Sequence, residues 1–374
     1  MTILIAPDKF KGSLSAKEVC EAVYDGLIKL DPSLSIISVP LADGGEGTYE
    51  LLTTNLKGSV VNCSVSDPLF RKVNASYGIS GDGTTAFIEM ASASGLHLLT
   101  KEERNPLNTT TYGTGELIAD AIHHGVKKII LAIGGSATND AGIGMAAALG
   151  IKFKDESGNE LQPIGSNLIH IHSIDDTHFL INRKKLEVVV LCDVDNELYG
   201  PDGAAFVYGP QKGADDQAVQ LLDQGLKHFA AIVENKLNLD VHFPGAGAAG
   251  GLGAGAKVFL NAAFTRGIDF ILKALNLEDQ VKLADLVITG EGKMDDQTLS
   301  GKVVLGVVKL AHNYHKPVLA IVGKNELSNE KIRLMGLKKV IQLVDEKTSS
   351  SEAMRNTAKL ITERISNLRL KDYL

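Results

Sequence analysis

The chain reads as an α/β protein: a doubly wound, mainly parallel, Rossmann-like sheet domain that carries a second, inserted mixed α/β domain. Three observations predict this. Short aliphatic runs alternate with helical stretches at both ends of the chain, the rhythm of βα units in a parallel sheet. The middle holds segments of strict alternation, as antiparallel strands do. The 374 residues are 44% apolar but only 5% aromatic, with no Trp. Such a core must be aliphatic, which suits strands buried on both faces.

The elements follow in order. Ile3-Leu4-Ile5-Ala6 is a strand stopped by Pro7-Asp8, and Ser15 with Glu18 three residues on marks the start of a helix to about Leu30. Ser35 to Leu41 is a second strand, ended by Asp43-Gly44-Gly45-Glu46-Gly47 and a helical stretch to Leu56. Residues 58–90 alternate through Val60, Cys63, Val65, then Val73, Ala75, Tyr77, Ile79, then Phe87, Ile88, Met90. A helix at about 114–124 precedes the buried strand Lys128–Ile133; Glu187–Leu191 is another strand, and helices are expected at 215–235 and 266–275. Leu286–Thr289 is a strand running into Gly290-Glu291-Gly292. A helix from Gly301 to His315, strands at Pro317–Val322 and Lys339–Val344, and a helix from Ser351 to Leu368 complete the chain. Neither end has strands enough for a full sheet. Residues 1–65 and 284–374 are therefore expected to form one discontinuous domain, with 66–283 inserted.

Composition excludes several classes of function. The net charge of −7 argues against nucleic acid as a partner. Cys20, Cys63 and Cys192 are far apart and form no C-x-x-C pair, which fits a reducing cytoplasm. The N-terminal run is too short for a secretory signal, and no apolar segment approaches the ~20 residues of a membrane span. A cytoplasmic protein acting on a small molecule is expected. Its oligomeric state is open, a homodimer included. The histidines lack the H-E-x-x-H spacing of a zinc site.

Ligands of open α/β sheets bind at the carboxyl ends of the strands. Five predicted strands run into polar, glycine-bearing or acidic stretches at that end: Asp8–Ser13, Asp43–Thr48, Gly134–Asp140, Asp193–Asn196 and Gly290–Asp296. Glycine-rich turns that open helices present backbone N–H groups and suit phosphate. Adjacent carboxylates suit Mg²⁺, and Lys9, Lys11, Lys293 and Lys302 supply positive charge in an acidic chain. Together these are the parts that phosphoryl transfer needs. A Walker A loop is absent, because the Gly-Lys pairs precede Met294, Val303 and Asn325. The protein-kinase signatures are absent too. Gly245-Ala246-Gly247-Ala248-Ala249-Gly250 matches G-x-G-x-x-G, but Pro244 precedes it and the glycines continue to Gly255, without the strand and helix of a dinucleotide turn.

At these loops the sequence resembles the bacterial glycerate kinase family, the class that phosphorylates D-glycerate with ATP. The segments that carry the resemblance include Ala6–Leu14, Pro40–Thr48, Asp67-Pro68-Leu69, Arg104-Asn105-Pro106 and Thr110–Glu116. Ile133–Asp140, Gly209-Pro210-Gln211-Lys212-Gly213-Ala214, Pro244–Gly253 and Thr289–Gly292 follow in family order. Lys9 stands where the family often has serine, and Ala141-Gly142 where two glycines are common, so Lys9 inherits no serine's role. The resemblance implies a two-domain kinase with its active site in the cleft between domains, and a product usually taken to be 2-phosphoglycerate. Asp193 or Glu291 would orient or deprotonate the acceptor hydroxyl, and Lys11 or Lys293 would neutralise phosphate charge. Asp8, Asp43, Glu46, Arg104 and Asn105 are expected to bind substrate, Arg104 because its fork suits a carboxylate. Gly44, Gly45, Gly134, Gly135, Ser136, Thr138, Asn139, Asp140, Gly290 and Gly292 are expected at the nucleotide phosphates, with Asp193 and Asp295 on Mg²⁺. Two other readings compete: a nicotinamide-dependent oxidoreductase using the 245–250 turn, and a non-enzymatic sugar-acid sensor.

Overall fold

A computed structural model describes residues 1–181, 185–346 and 348–373. Its strands, in chain order, are β1 (Thr2–Ile5), β2 (Ser35–Ser38), β3 (Ser59–Ser66), β4 (Lys72–Ile79), β5 (Thr85–Glu89), β6 (Lys128–Ala132), β7 (Lys152–Lys154), β8 (Ser173–Asp175), β9 (Glu187–Leu191), β10 (Ala263–Thr265), β11 (Leu286–Met294), β12 (Val318–Asn325) and β13 (Lys339–Gln342). The chain divides into two compact units, residues 1–43 with 267–374, and residues 44–266. The inserted unit thus begins earlier than 66 and ends earlier than 283. The physical reason is pairing: β3 is bonded along its length to β4, so it belongs with the antiparallel strands of the insertion.

In the first unit the strand order is β13-β12-β11-β1-β2, all parallel. The aliphatic runs that predicted these strands are fully buried: Ile3, Leu4, Ile5, Val287, Ile288 and Leu319 are all 0% exposed. The predicted N-cap forms a capping box, Ser15 Oγ accepting from Glu18 N and Glu18 Oε2 from Ser15 N, at the start of helix Ala16–Leu30. That helix packs closely on Thr357–Ser366; a Cβ on Gly26 would stand 2.7 Å from Ile365 Cβ. The expected helix from Ser351 to Leu368 is two, Ser350–Arg355 and Thr357–Ser366. From β1 the chain winds outward to β2, and from β11 it winds the other way to β12 and β13. The switch point of the sheet therefore lies between β1 and β11.

The second unit holds a sheet ordered β10-β9-β6-β5-β4-β3, parallel from β5 to β10 and antiparallel from β5 to β3, and a small β7-β8 pair. The alternation read over 58–90 is this antiparallel part. Two hydrophobic cores fill the unit, one mainly aliphatic around Ile88, Leu117, Leu131 and Val190, the other around helices Asp216–Leu237 and Ala248–Leu260, where Phe153, Phe229 and Phe259 pack together. No helix among the described residues is long and apolar enough to cross a membrane.

Two local expectations differ. β11 does not stop at Thr289 but continues through the glycines to Met294, paired with β12 as far as Asn325. Gly290 permits this, since a Cβ there would meet Ile321 O at 2.2 Å. The 245–255 run, expected to be irregular, contains most of helix Ala248–Leu260, interrupted by left-handed Ala249, Gly250 and Gly251 at φ 54°, 69° and 86°. Glycine is needed because backbone approaches backbone: Cβ atoms on Gly250, Gly253 and Gly255 would lie 2.0 Å from Thr138 O, 2.1 Å from Gly245 O and 2.3 Å from Ala141 O.

Candidate active site

Asp8 and Glu291 stand on either side of the switch point of the first unit, where open parallel sheets bind ligands. Asp8 follows β1, its N–H donating to Gly290 O at 2.8 Å, and its Oδ1 accepts from Lys9 N at 2.7 Å. Glu291 lies within β11 and is 8% exposed; its Oε1 accepts from Thr298 Oγ1 at 2.6 Å. Thr289 Oγ1 donates to Ala6 O at 2.8 Å and ties the two strands together just before the acids. Burial, then the neighbouring Asp43 charge, raises Asp8 to a pKa of about 7, against the partial relief of Lys9 and Lys302. Burial also raises Glu291 to about 7, with Asp8 adding to the rise and the Thr298 hydroxyl opposing it. Three predicted strand ends, those of β1, β2 and β11, thus bring Asp8, Asp43 and Glu291 within electrostatic reach.

The flanking candidates are bound differently. Lys293 Nζ is held by Asp295 Oδ2 at 3.2 Å and Glu326 Oε2 at 2.8 Å, and is half exposed. Its charge is already matched by carboxylates. Asp295 has its other oxygen accepting from Gln297 N at 2.9 Å. Lys11 is exposed, beside Gly292, and has no carboxylate partner among the described residues.

In the second unit the carboxyl ends of β6 and β9 place Gly134–Asp140 next to the stretch that holds Asp193. Gly45 Cα approaches to 3.8 Å of where a Gly134 Cβ would be, so the two loops meet at Gly45 and Gly134, and Glu46, next in the chain, is exposed. Gly134 and Gly135 are exposed, while Thr138, Asn139 and Asp140 are fully buried. Asp140 differs from expectation. Its carboxylate accepts from Thr111 N (2.7 Å), Thr111 Oγ1 (2.8 Å), Gly142 N (3.1 Å) and Gly144 N (3.2 Å), so it braces two helix starts rather than facing a phosphate. Burial still raises its pKa. Asn105 likewise closes its own turn, accepting from Leu107 N at 3.1 Å.

Among the described residues, four buried side-chain atoms have no hydrogen-bond partner: Thr138 Oγ1, both amide atoms of Asn139, and Arg104 Nε. Buried polar groups are ordinarily paired, so unpaired ones point to a ligand or water that completes them. Sequence reading also missed Lys212, 2% exposed, whose Nζ donates to Ser136 Oγ and Thr138 O, each at 2.7 Å. Burial lowers it to about 7, opposed by Asp140. It lies in one of the resemblance segments, yet nothing in the spacing told it from a surface lysine. The thiols are poor nucleophiles: burial pushes Cys20 to about 12 and Cys63 to about 11. Cys63 and Cys192 are half-buried rather than fully enclosed.

The glycerate kinase family model matches residues 3–370. A glycerate 2-kinase of Escherichia coli K12 is 49% identical over 324 residues, covering 86% of this chain and 85% of that protein. A glycerate kinase of Halalkalibacterium halodurans is 45% identical over 368 residues, covering 98% and 97%. A crystal structure from Salmonella typhimurium LT2, described as a glycerate kinase 2, superposes with a TM-score of 0.88 at 42% identity, covering 98% of this chain and 96% of that one. The oxidoreductase and sensor readings find no support among these relatives. From the match over nearly its whole length, the chain belongs to the glycerate kinase family and is an enzyme of that family.

Proposed function

We propose that the enzyme transfers the γ-phosphoryl group of ATP to a hydroxyl of D-glycerate, giving 2-phosphoglycerate. The observation that carries this reading is the carboxylate pair Asp8 and Glu291 at the switch point of a parallel sheet, in a chain that belongs to the family. The name of the Escherichia coli relative supports the 2-position. Phosphoryl transfer depends on positioning and charge, with one carboxylate to orient the attacking hydroxyl. Glu291 suits that task, because a carboxylate with a pKa near 7 can accept a proton at neutral pH. Asp193 is the alternative. Lys11 is better placed than Lys293 to neutralise phosphate, since Lys293 is occupied by Asp295 and Glu326. The exposed Gly134 and Gly135 offer backbone N–H groups to an anion.

Asp8, with Asp43 beside it, offers hard-oxygen donors that fit Mg²⁺ better than Asp295 does, which leaves Glu291 to orient the hydroxyl. When bound, Mg²⁺ supplies positive charge to the ATP phosphates. The free thiols support a cytoplasmic setting. A coupled assay of ADP release against three- and four-carbon hydroxy acids, with phosphorus NMR of the product, tests it. ADP release with glycerate and a 2-phosphoryl product is expected. Absence of ADP release with every acid refutes the reading.

A further inference from the structure

We infer that Lys212, in its protonated form, is a positioning residue that directs the Ser136 hydroxyl proton to an anionic ligand oxygen. The inference rests on the reading above that the 134–140 loop meets a substrate. Lys212 sits in the turn Pro210–Lys212, beneath the loop, at 2% exposure. Its neighbour Gly213 is seated against Arg104, where a Cβ would lie 2.1 Å from Arg104 O. A buried ammonium normally needs an ion pair to offset the loss of water. No carboxylate lies within ion-pair distance of Lys212 among the described residues, and the nearest acid in its field, Asp140, is taken up by four neutral donors.

What the ammonium does instead is donate to Ser136 Oγ and to Thr138 O, both at 2.7 Å. A serine hydroxyl has one proton to give and accepts through its oxygen, and an ammonium can only donate. With Lys212 protonated, the state a bound anion favours, the Ser136 oxygen is the acceptor in that bond and its own proton must go elsewhere. No acceptor for it stands among the described residues. Ser136 is 8% exposed and directly follows the exposed Gly134 and Gly135. A proton polarised by a buried cation and turned away from it matches an oxygen that carries negative charge. Directly beyond, Thr138 Oγ1 and the Asn139 amide remain unpartnered. The anion is a phosphate oxygen of ATP or the carboxylate of the hydroxy acid; the two share this chemistry and are separated by experiment.

The test is a double-mutant cycle on Ser136→Ala and Lys212→Met, with Lys212→Arg and Ser136→Thr as conservative variants. KM is measured for ATP at saturating acid and for the acid at saturating ATP, and thermal midpoints are recorded alongside. Each of the two disruptive variants is expected to raise one KM about tenfold to a hundredfold, the range for a lost hydrogen bond to a charged group. The double variant should be within about twofold of the worse single, because Lys212 acts through Ser136. Ser136→Thr, which keeps the hydroxyl, should recover most of the loss. A rise in the ATP KM identifies phosphate as the anion, and a rise in the acid KM identifies the carboxylate. If the losses multiply, or if only the midpoint falls while both KM values hold, the inference is overturned. Should Lys212→Met not fold, the contrast of Ser136→Ala with Ser136→Thr decides alone: equal KM values refute it. Calorimetric titration of ATP and of glycerate into wild type and Ser136→Ala separates this failure from failure of the kinase reading, since it needs no turnover; unchanged affinity for both ligands overturns the inference.

Discussion

Gly250→Ala adds one methyl group, and the structure assigns it two separable costs. The first is conformational: Gly250 has φ +69°, a region that costs an L-residue about 1–2 kcal/mol. Loss of freedom in the unfolded chain offsets about 0.4–1 kcal/mol of that. The second is steric. The new Cβ would stand 2.0 Å from Thr138 O and 2.6 Å from Asn139 Cα, both backbone atoms that cannot swing aside. Overpacking of this kind typically costs about 1–3 kcal/mol more, and the bond from Ala141 N to Gly250 O, 3.0 Å, is strained with it. Gly83 is the internal control, with φ +71° and nothing within 4 Å of a Cβ. Alanine there meets only the first cost, about 1 kcal/mol net. At ~2–4 °C per kcal/mol for a domain of this size, Gly83→Ala should lower the midpoint by about 2–4 °C and Gly250→Ala by about 10 °C. Differential scanning calorimetry of the ligand-free protein reads both, and resolves units that melt apart. Equal shifts within about 2 °C would sink the claim that the glycine run exists to let backbone meet backbone at Thr138.

Three further outcomes are expected. Of Glu291→Gln and Asp193→Asn, at least one should lower kcat by about 10²–10⁴-fold, the usual contribution of acid–base catalysis; steady-state turnover within about threefold of wild type in both would remove both carboxylates from the mechanism. The stability of the ligand-free protein should carry a term from Lys212 that rises with pH: its pKa is lowered from 10.5 to about 7, so between those values the unfolded chain binds more protons than the folded one. The slope is up to about 1.4 kcal/mol per pH unit above pH 7. Urea midpoints across pH 7–10 should therefore rise more steeply in wild type than in Lys212→Met, with Asp140 the acid in its field; parallel curves would show that burial imposes no such penalty. Finally, with Cys20 and Cys63 pushed far above neutrality, a thiol reagent at pH 8 should label the folded protein much more slowly than the unfolded one, and fast labelling of Cys20 would contradict its burial.

How much of this was legible in the sequence depended on whether the signal was local. The parallel strands of the first unit were visible because Ile3–Ala6 and Leu286–Thr289 are uninterrupted aliphatic runs, buried on both faces, and need no partner to be recognised. The capping box of Ser15 and Glu18 was visible for the same reason, both halves lying within four residues. The unit boundary was less accessible, because the allegiance of residues 44–66 is decided by the register of β3 on β4. The end of β11 was misread because glycine marks both a turn and a close strand pair. Only the position of Ile321 O separates them.

The same logic divides the site. Asp8 and Glu291 were candidates because each lies at or near the end of a recognisable strand, and the carboxyl-edge rule converts strand polarity into location. What the rule could not supply was direction of side chain and competition for it. Asp140 and Lys293 have the right residue types at the right edge, yet one is consumed by four donors and the other by two carboxylates. Lys212 is the converse: it belongs to no strand end, and its meaning comes from contacts with residues 76 and 74 positions earlier in the chain. A charge's function is set by which partners remain open to it after folding. On the inference drawn above, Ser136 marks the ligand face of its loop better than the glycines do, because protonated Lys212 takes its oxygen and leaves its proton over.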